Sequence, residues 1–169
     1  MSDSKASCLC GAVKIVAADV NPKFSVCHCQ SCRTWGGAPF FAVQCGTQVT
    51  FEGEENIKIY PSSAWASRGF CTECGTHLFY KVKASGEYNM PVGLFPDIKG
   101  LTMDMQYFSD ARPSYYSTSS MANVSQTTEL TIAFASKLDC DSVTNKNALV
   151  DSLGHFCTSC SNDVGTSTQ

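Results

Sequence analysis

Apolar and polar residues alternate along the first two thirds of the chain, and that period of two predicts strands. Residues 10–17 place β-branched side chains at alternating positions, and Val49–Glu52 and Ile57–Tyr60 repeat the pattern. Residues 39–43, 77–82, 88–92 and 105–108 are further strand candidates, with Gly, Pro, Asn and Asp between them as turn formers. No stretch before residue 120 carries a sustained apolar stripe at helical spacing, although residues 62–67 suit one turn of helix. No solenoid-type repeat occurs. From residue 117 to 128 the chain becomes polar and rich in Ser and Thr, which reads as a linker or exposed loop and sets a boundary near there. Beyond it, residues 129–135 suit one more strand and residues 145–153 a short helix ended by Gly154, with a loose terminus after them.

The chain is 169 residues long, enough for one domain with a real core, so its 11 cysteines are not needed as cross-links. The opening residues lack an apolar signal core, which points to a reducing compartment, the cytoplasm. The cysteine count is odd and Cys-x-Cys neighbours are badly placed to bridge each other, so metal thiolates are favoured over disulfides. The longest apolar run, residues 38–43, is far too short for a membrane span. A net charge of −3 with scattered Lys and Arg argues against a nucleic-acid partner. Without secretion, the glycosylation-type triplet Asn123-Val124-Ser125 is a chance match.

Seven cysteines fall into three groups: Cys8-x-Cys10, Cys27-x-Cys29-x-x-Cys32 and Cys71-x-x-Cys74. Cys71 and Cys74, followed by Gly75, have the form of a zinc knuckle, in which turn N–H groups aim at sulfur and the glycine accepts the tight backbone angle. Cys8 and Cys10 add two thiolates on one face of an extended segment. Together they make a closed set of four, and a metal there would close a loop of about sixty residues. Cys27, Cys29 and Cys32 suit a second metal with one coordination position free. An extended backbone turns His28 away from the two ligands that flank it. A site closed by His28, His77 or Cys45 is one alternative, and no second metal is another. Both clusters being structural also stays open. Cys45 reads as a small buried residue after a strand. An all-thiolate zinc with a vacancy is soft, and it suits a thiol guest better than a strongly acidified water. Such a site would hold a nucleophilic thiolate beside an electrophilic carbon.

Taken together, Cys8-x-Cys10-Gly11, Cys27-His28-Cys29-x-x-Cys32-Arg33, Gly37-Ala38-Pro39-Phe40, Ser67-Arg68-Gly69-Phe70-Cys71-x-x-Cys74-Gly75 and Ser109-Asp110-Ala111-Arg112 make the chain resemble the glutathione-dependent formaldehyde-activating enzyme family. The same domain occurs in centromere protein V. The resemblance runs over residues 6–116 and leaves residues 117–169 as a C-terminal extension, partly ordered at most. It implies a mainly β, Mss4-like fold of antiparallel sheets with a structural zinc on Cys8, Cys10, Cys71 and Cys74. It also implies a catalytic zinc on Cys27, Cys29 and Cys32, hence two zinc ions per chain. The implied activity is that of a carbon–sulfur lyase run in reverse, joining formaldehyde to the glutathione thiol. The extension has no counterpart in the family; its Cys140, His155, Cys157 and Cys160 suit a third metal or free thiols.

Arg33, directly after the third cysteine, and Arg68, three before Cys71, are each placed to receive a carboxylate through a bidentate fork or to serve as structural partners; Arg112 is a weaker candidate. Trp35, Phe40, Phe41 and Phe70 wall a dry pocket or belong to the core. His77 is a proton carrier or an exposed histidine. The reading reached is a cytoplasmic zinc-dependent carbon–sulfur lyase acting on a small-molecule thiol, glutathione or another, and a small electrophile. Cys27, Cys29, Cys32 and Arg33 form its reactive site. The alternative is a non-catalytic, zinc-stabilised binding module.

Overall fold

The computed structural model describes residues 3–18, 20–118 and 123–125. A small antiparallel sheet forms from β1 (Ser4–Ser7), β2 (Lys14–Ala17) and β5 (Val49–Glu52), with β2 in the middle. Alternation decides its faces: Ile15 and Ala17 point inward, while Lys14 points out and pairs with Glu52 at 3.1 Å.

The larger sheet has eight strands. They are β3 (Lys23–Cys27), β4 (Phe40–Gln44), β6 (Ile57–Tyr60), β7 (Ala66–Cys71), β8 (His77–Val82), β9 (Tyr88–Pro91), β10 (Thr102–Tyr107) and β11 (Asn123–Ser125). Their spatial order is β11-β10-β3-β4-β9-β8-β7-β6, antiparallel throughout except that β10 runs parallel to both β3 and β11. The fold is therefore mainly β, as the alternation predicts, with one α-helix, α1 (Gln30–Gly36), among the described residues. None of these elements includes a helix long and apolar enough to cross a membrane.

One continuous core joins the two sheets. Val13, Ile15 and Ala17 from the small sheet and its approach meet Val43, Leu78, Phe79 and Met90 from the large one, and Phe95 closes the cluster. Cys8 and Cys71 belong to this core, whereas Cys27, Cys29 and Cys32 do not. Gly69 makes room for Phe79, because a Cβ at Gly69 would collide with that ring on the neighbouring strand.

Three local expectations change. The strand expected over residues 10–17 starts only at Lys14, because residues 9–13 are turn and bend. Residues 62–67 form no helix: Ser63 caps a bend through its hydroxyl on Ala66 N–H, at 3.1 Å, and ladder pairing with β8 takes the chain from Ala66 onward. Helix α1 is unanticipated, since seven residues are too few to display an apolar stripe. The strand and helix expected over residues 129–135 and 145–153 lie outside the described residues, as do Cys140, His155, Cys157 and Cys160.

Candidate functional site

Two groups of sulfur atoms converge, and each owes its geometry to local chain features. In the first, the chain leaves β1, bends at Leu9 and Cys10, and closes on Gly11, whose N–H bonds Cys8 O at 3.1 Å with φ +78°. The stretch after β7 repeats the device: Gly75 N–H bonds Cys71 O at 2.9 Å with φ +72°. The expected extended Cys8–Cys10 pair is thereby corrected. Residues two apart in a strand stand roughly 6.6 Å apart, whereas Cys8 Sγ and Cys10 Sγ lie 3.5 Å apart, which needs a turn. Cys10 Sγ lies 3.9 Å from Cys71 Sγ, and the four ligand atoms of Cys8, Cys10, Cys71 and Cys74 all fall within 4.8 Å of one another.

Donors surround this quartet. Val13 N–H points at Cys8 Sγ at 3.3 Å. The Thr76 hydroxyl lies 3.1 Å from Cys74 Sγ and accepts Leu9 N–H at 3.1 Å, so it ties one turn to the other. That hydroxyl, helped by backbone N–H groups, holds the Cys74 thiol down at about 5.

The second group forms where β3 runs into α1. Cys27 ends the strand, Cys29 is the helix N-cap with its Sγ accepting Cys32 N–H at 3.5 Å, and Cys32 sits in the first turn. The three ligand atoms lie within 4.8 Å of one another, and no fourth Cys, His, Asp or Glu among the described residues joins them. Their charge is shared unequally. The Cys27 and Cys32 thiols hold Cys29 down at about 2, while the Cys29 and Cys32 thiols push Cys27 well above the ordinary thiol range. A bound divalent cation would favour the ionised form of all three thiols.

The residues around the trio divide sharply by role. His28 is fully buried and points away from the sulfurs. Its Nε2–H donates to Gln106 Oε1 at 3.1 Å, so its Nδ1 is the lone-pair side that accepts the Tyr116 hydroxyl at 2.8 Å. Burial, then the charges of Arg112 and Arg33, keep this ring below the usual histidine range. Thr118 donates to the same Gln106 oxygen at 2.5 Å and accepts from Arg112 Nη1 at 3.0 Å, which pins residues 112–118 against β10. Arg33 donates from Nε to His28 O at 2.9 Å and from Nη2 to Gln30 Oε1 at 2.8 Å. Arg68, 5% exposed on β7, donates from Nη2 to Cys32 Sγ at 3.4 Å. Its guanidinium carbon lies 4.7 Å from the Trp35 ring and 5.2 Å from the Tyr80 ring. His77 stacks on Trp35 at 3.9 Å and 11°, and Phe40 meets the same indole edge-on at 5.9 Å. Cys45 is fully buried with its thiol against Val43 O at 3.8 Å, and desolvation pushes it up to about 12. Neither Cys45, His28 nor His77 joins either sulfur group.

A groove of about 470 Å³ is lined by residues that include Leu9, Phe40, Phe41, Thr76 and His77; no sulfur atom lines it. The sulfur trio, not this groove, holds the nucleophilic and charged groups. Residue spacing carries no sign of Tyr80, Gln106 and Tyr116, because strand pairing and the 112–118 segment bring them in from far along the chain.

Residues 3–111 match the family model described as glutathione-dependent formaldehyde-activating enzyme. The chain belongs to this family. Within the formaldehyde-activating enzyme match lie all seven clustered cysteines together with Arg33 and Arg68. A protein of Schizosaccharomyces pombe named as an uncharacterized lyase is 36% identical over 117 residues, covering 69% of this chain and 85% of the relative. A Rhodobacter sphaeroides protein solved as a structural-genomics target matches at TM-score 0.49 and 25% identity, over 57% of this chain and 91% of that one.

Proposed function

We propose that the chain is a zinc-dependent enzyme of the carbon–sulfur lyase type, joining or separating a thiol and a small electrophile at Cys27, Cys29 and Cys32. The observation that carries this reading is the unequal pair of sulfur groups, four ligand atoms in one and three in the other, each set within 4.8 Å. His28, the nearest candidate for a fourth ligand, has both ring nitrogens engaged elsewhere. Family membership and the lyase-named relative support the reaction class. Glutathione with formaldehyde is the pair the family's name suggests.

The donor sets fit zinc. Thiolates are soft ligands, four close a structural tetrahedron, and three leave one position for a guest. Cys8, Cys10, Cys71 and Cys74 would hold the structural ion, and Cys27, Cys29 and Cys32 the reactive one. Zinc at the trio supplies a thiol ionised at neutral pH yet still nucleophilic. The protein does the rest. The β3–α1 junction fixes the sulfurs, Arg33 holds the first turn of α1 to His28 O, and Trp35 and Tyr80 keep water from the Arg68 side. We give Arg33 a positioning part in the site, since two of its donors serve the helix start.

Elemental analysis together with adduct formation tests the proposal. Wild type is expected to carry two zinc ions per chain and to accelerate hemithioacetal formation from glutathione, or another thiol, and formaldehyde. Cys29→Ser is expected to carry one zinc and to lose that acceleration. A trio without zinc in wild type, or unchanged rates after its loss, would instead support a zinc-stabilised binding module.

A further inference from the structure

Among the described residues, Arg68 is the one buried side chain with a nitrogen or oxygen atom that lacks a hydrogen-bond partner. Its Nη1 has no accessible surface and no hydrogen-bond partner among the described residues. Ion pairs there link Lys14 to Glu52 and Lys23 to Asp104, and neither gives Arg68 a carboxylate. Buried arginines are rarely left without an anion, and an unmet charged donor is costly enough to need an explanation. Partial compensation comes from Cys32 Sγ, 3.4 Å from Nη2, but that uses one end of the fork only. Trp35 and Tyr80, at 4.7 and 5.2 Å, fix the guanidinium plane, so Nη1 is not free to turn toward another acceptor. The trio itself is wet on its Cys27 and Cys29 side and dry on its Cys32 side. Arg68 therefore brings an uncommitted donor to the buried, Cys32 side of the trio, on the same guanidinium whose Nη2 bonds Cys32 Sγ.

We propose that Arg68 Nη1 is an oxyanion donor: it receives the oxygen that gains negative charge when the carbon–sulfur bond forms. The inference rests on the reading of the trio given above. In the forward direction the thiolate sulfur attacks the carbonyl carbon, the C–S bond forms, and the π pair of the C=O bond moves onto oxygen. Arg68 keeps its protons and donates only a hydrogen bond to that oxygen, which then takes from water the proton the thiol gave up. In reverse the alkoxide collapses to the carbonyl, the C–S bond breaks, and its electron pair returns to sulfur. A donor fixed before reaction needs no reorganisation as the charge develops, which is the arrangement that lowers such barriers most.

Two thiols of similar acidity test it on the zinc-loaded protein. Thioglycolate places a charged oxygen one carbon from the carbon bearing sulfur, and ethanethiol does not. Calorimetry is expected to show wild type preferring thioglycolate by about 10- to 100-fold, the range of a hydrogen bond to a charged group. Arg68→Met should abolish the preference, and Arg68→Lys, which keeps the charge but loses the fork, should retain only part of it. An unchanged ratio in Arg68→Met overturns the inference; should that variant fail to fold, an unchanged ratio in Arg68→Lys does the same. If neither thiol binds wild type, the carbon–sulfur reading falls on its own. Titration with formate, followed on the guanidinium N–H resonances of Arg68, then decides the oxyanion site separately: a saturable shift sustains it and no shift overturns it.

Discussion

The two sulfur groups share a chemistry and differ in what surrounds them. In the quartet, Cys8 and Cys71 lie within the hydrophobic core, and glycine turns with convergent N–H groups hold the ligands. The trio stands outside that core and is framed by a cation, two aromatic rings and a buried histidine network. A ligand set built into the core is coupled to folding, because losing its metal also exposes apolar surface. One framed by polar and aromatic groups is coupled to whatever docks beside it. In the proposed reading, location, more than ligand type, separates the stabilising site from the reactive one.

The hardest blow to this contrast comes from Cys71→Ser. Cys71 is fully buried at the end of β7, and a structural zinc site contributes about 10–16 kcal/mol of apparent binding energy, as much as the whole stability of a domain. Loss of near-UV circular dichroism and of a cooperative melt is expected. A melt within a few degrees of wild type would erase the distinction between the groups. Cys29→Ser should do the opposite. Serine is a good N-cap, so α1 keeps its start, and the melting temperature should stay within about 4 °C of wild type, a change of under about 1 kcal/mol. Turnover of the thiol adduct should fall on the order of 100-fold or more, since the metal's share is several kcal/mol of barrier.

Strand β7 carries Arg68 to the trio and Cys71 to the quartet, with Gly69 between them. Gly69→Ala drives a methyl into the buried Phe79 ring and should cost about 1–3 kcal/mol in urea unfolding. Both sites should weaken together, which would mark β7 as a rigid link; a change confined to one site would show that they are independent. Tyr116→Phe is gentler. It leaves the buried Nδ1 of His28 without its donor at a cost of about 1 kcal/mol, the low end for such a loss because the tyrosine is only half-buried. Trio metal affinity should drop about 10-fold, as for other groups that orient ligands from behind, with the quartet unaffected.

Much of this contrast is legible in the residues themselves. The division of seven cysteines into four and three, the turn around Cys71 to Gly75, and the outward turn of His28 all follow from spacing and backbone alternation. Strands β6 and β8 occupy the residues where alternation puts them. What spacing does not carry is pairing across the sheet. Arg68 meets Tyr80 because β7 and β8 register them, and it reaches Cys32 because α1 packs nearby. The partner of His28 lies 88 residues away at Tyr116. Strand β7 itself reads poorly, because Arg68 and Gly69 break the apolar alternation for reasons of site and packing. Helix α1 is set by the Cys29 cap and the Gly37 stop, not by an apolar stripe.

The finest test concerns His77, which stacks on Trp35 beside Arg68. Burial, reinforced by the Arg68 charge, holds its pKa below the ordinary histidine value of 6.5. Because the folded value is the lower one, the unfolded chain takes up the proton first as pH falls. The neutral ring therefore stabilises the fold fully above about pH 6.5, and that contribution is lost as pH drops from there through the depressed value. His77→Phe keeps a flat ring on Trp35 and removes the titration. Urea midpoints measured between pH 7.5 and 5.5 should fall more steeply in wild type than in the variant. The difference should stay under about 1.4 kcal/mol, the worth of one full pKa unit. Any acid-driven loss of metal would be common to both proteins and would cancel in the comparison. Parallel curves would mean that neither burial nor the Arg68 charge lowers this ring, and the cation's influence would then end at the sulfur trio.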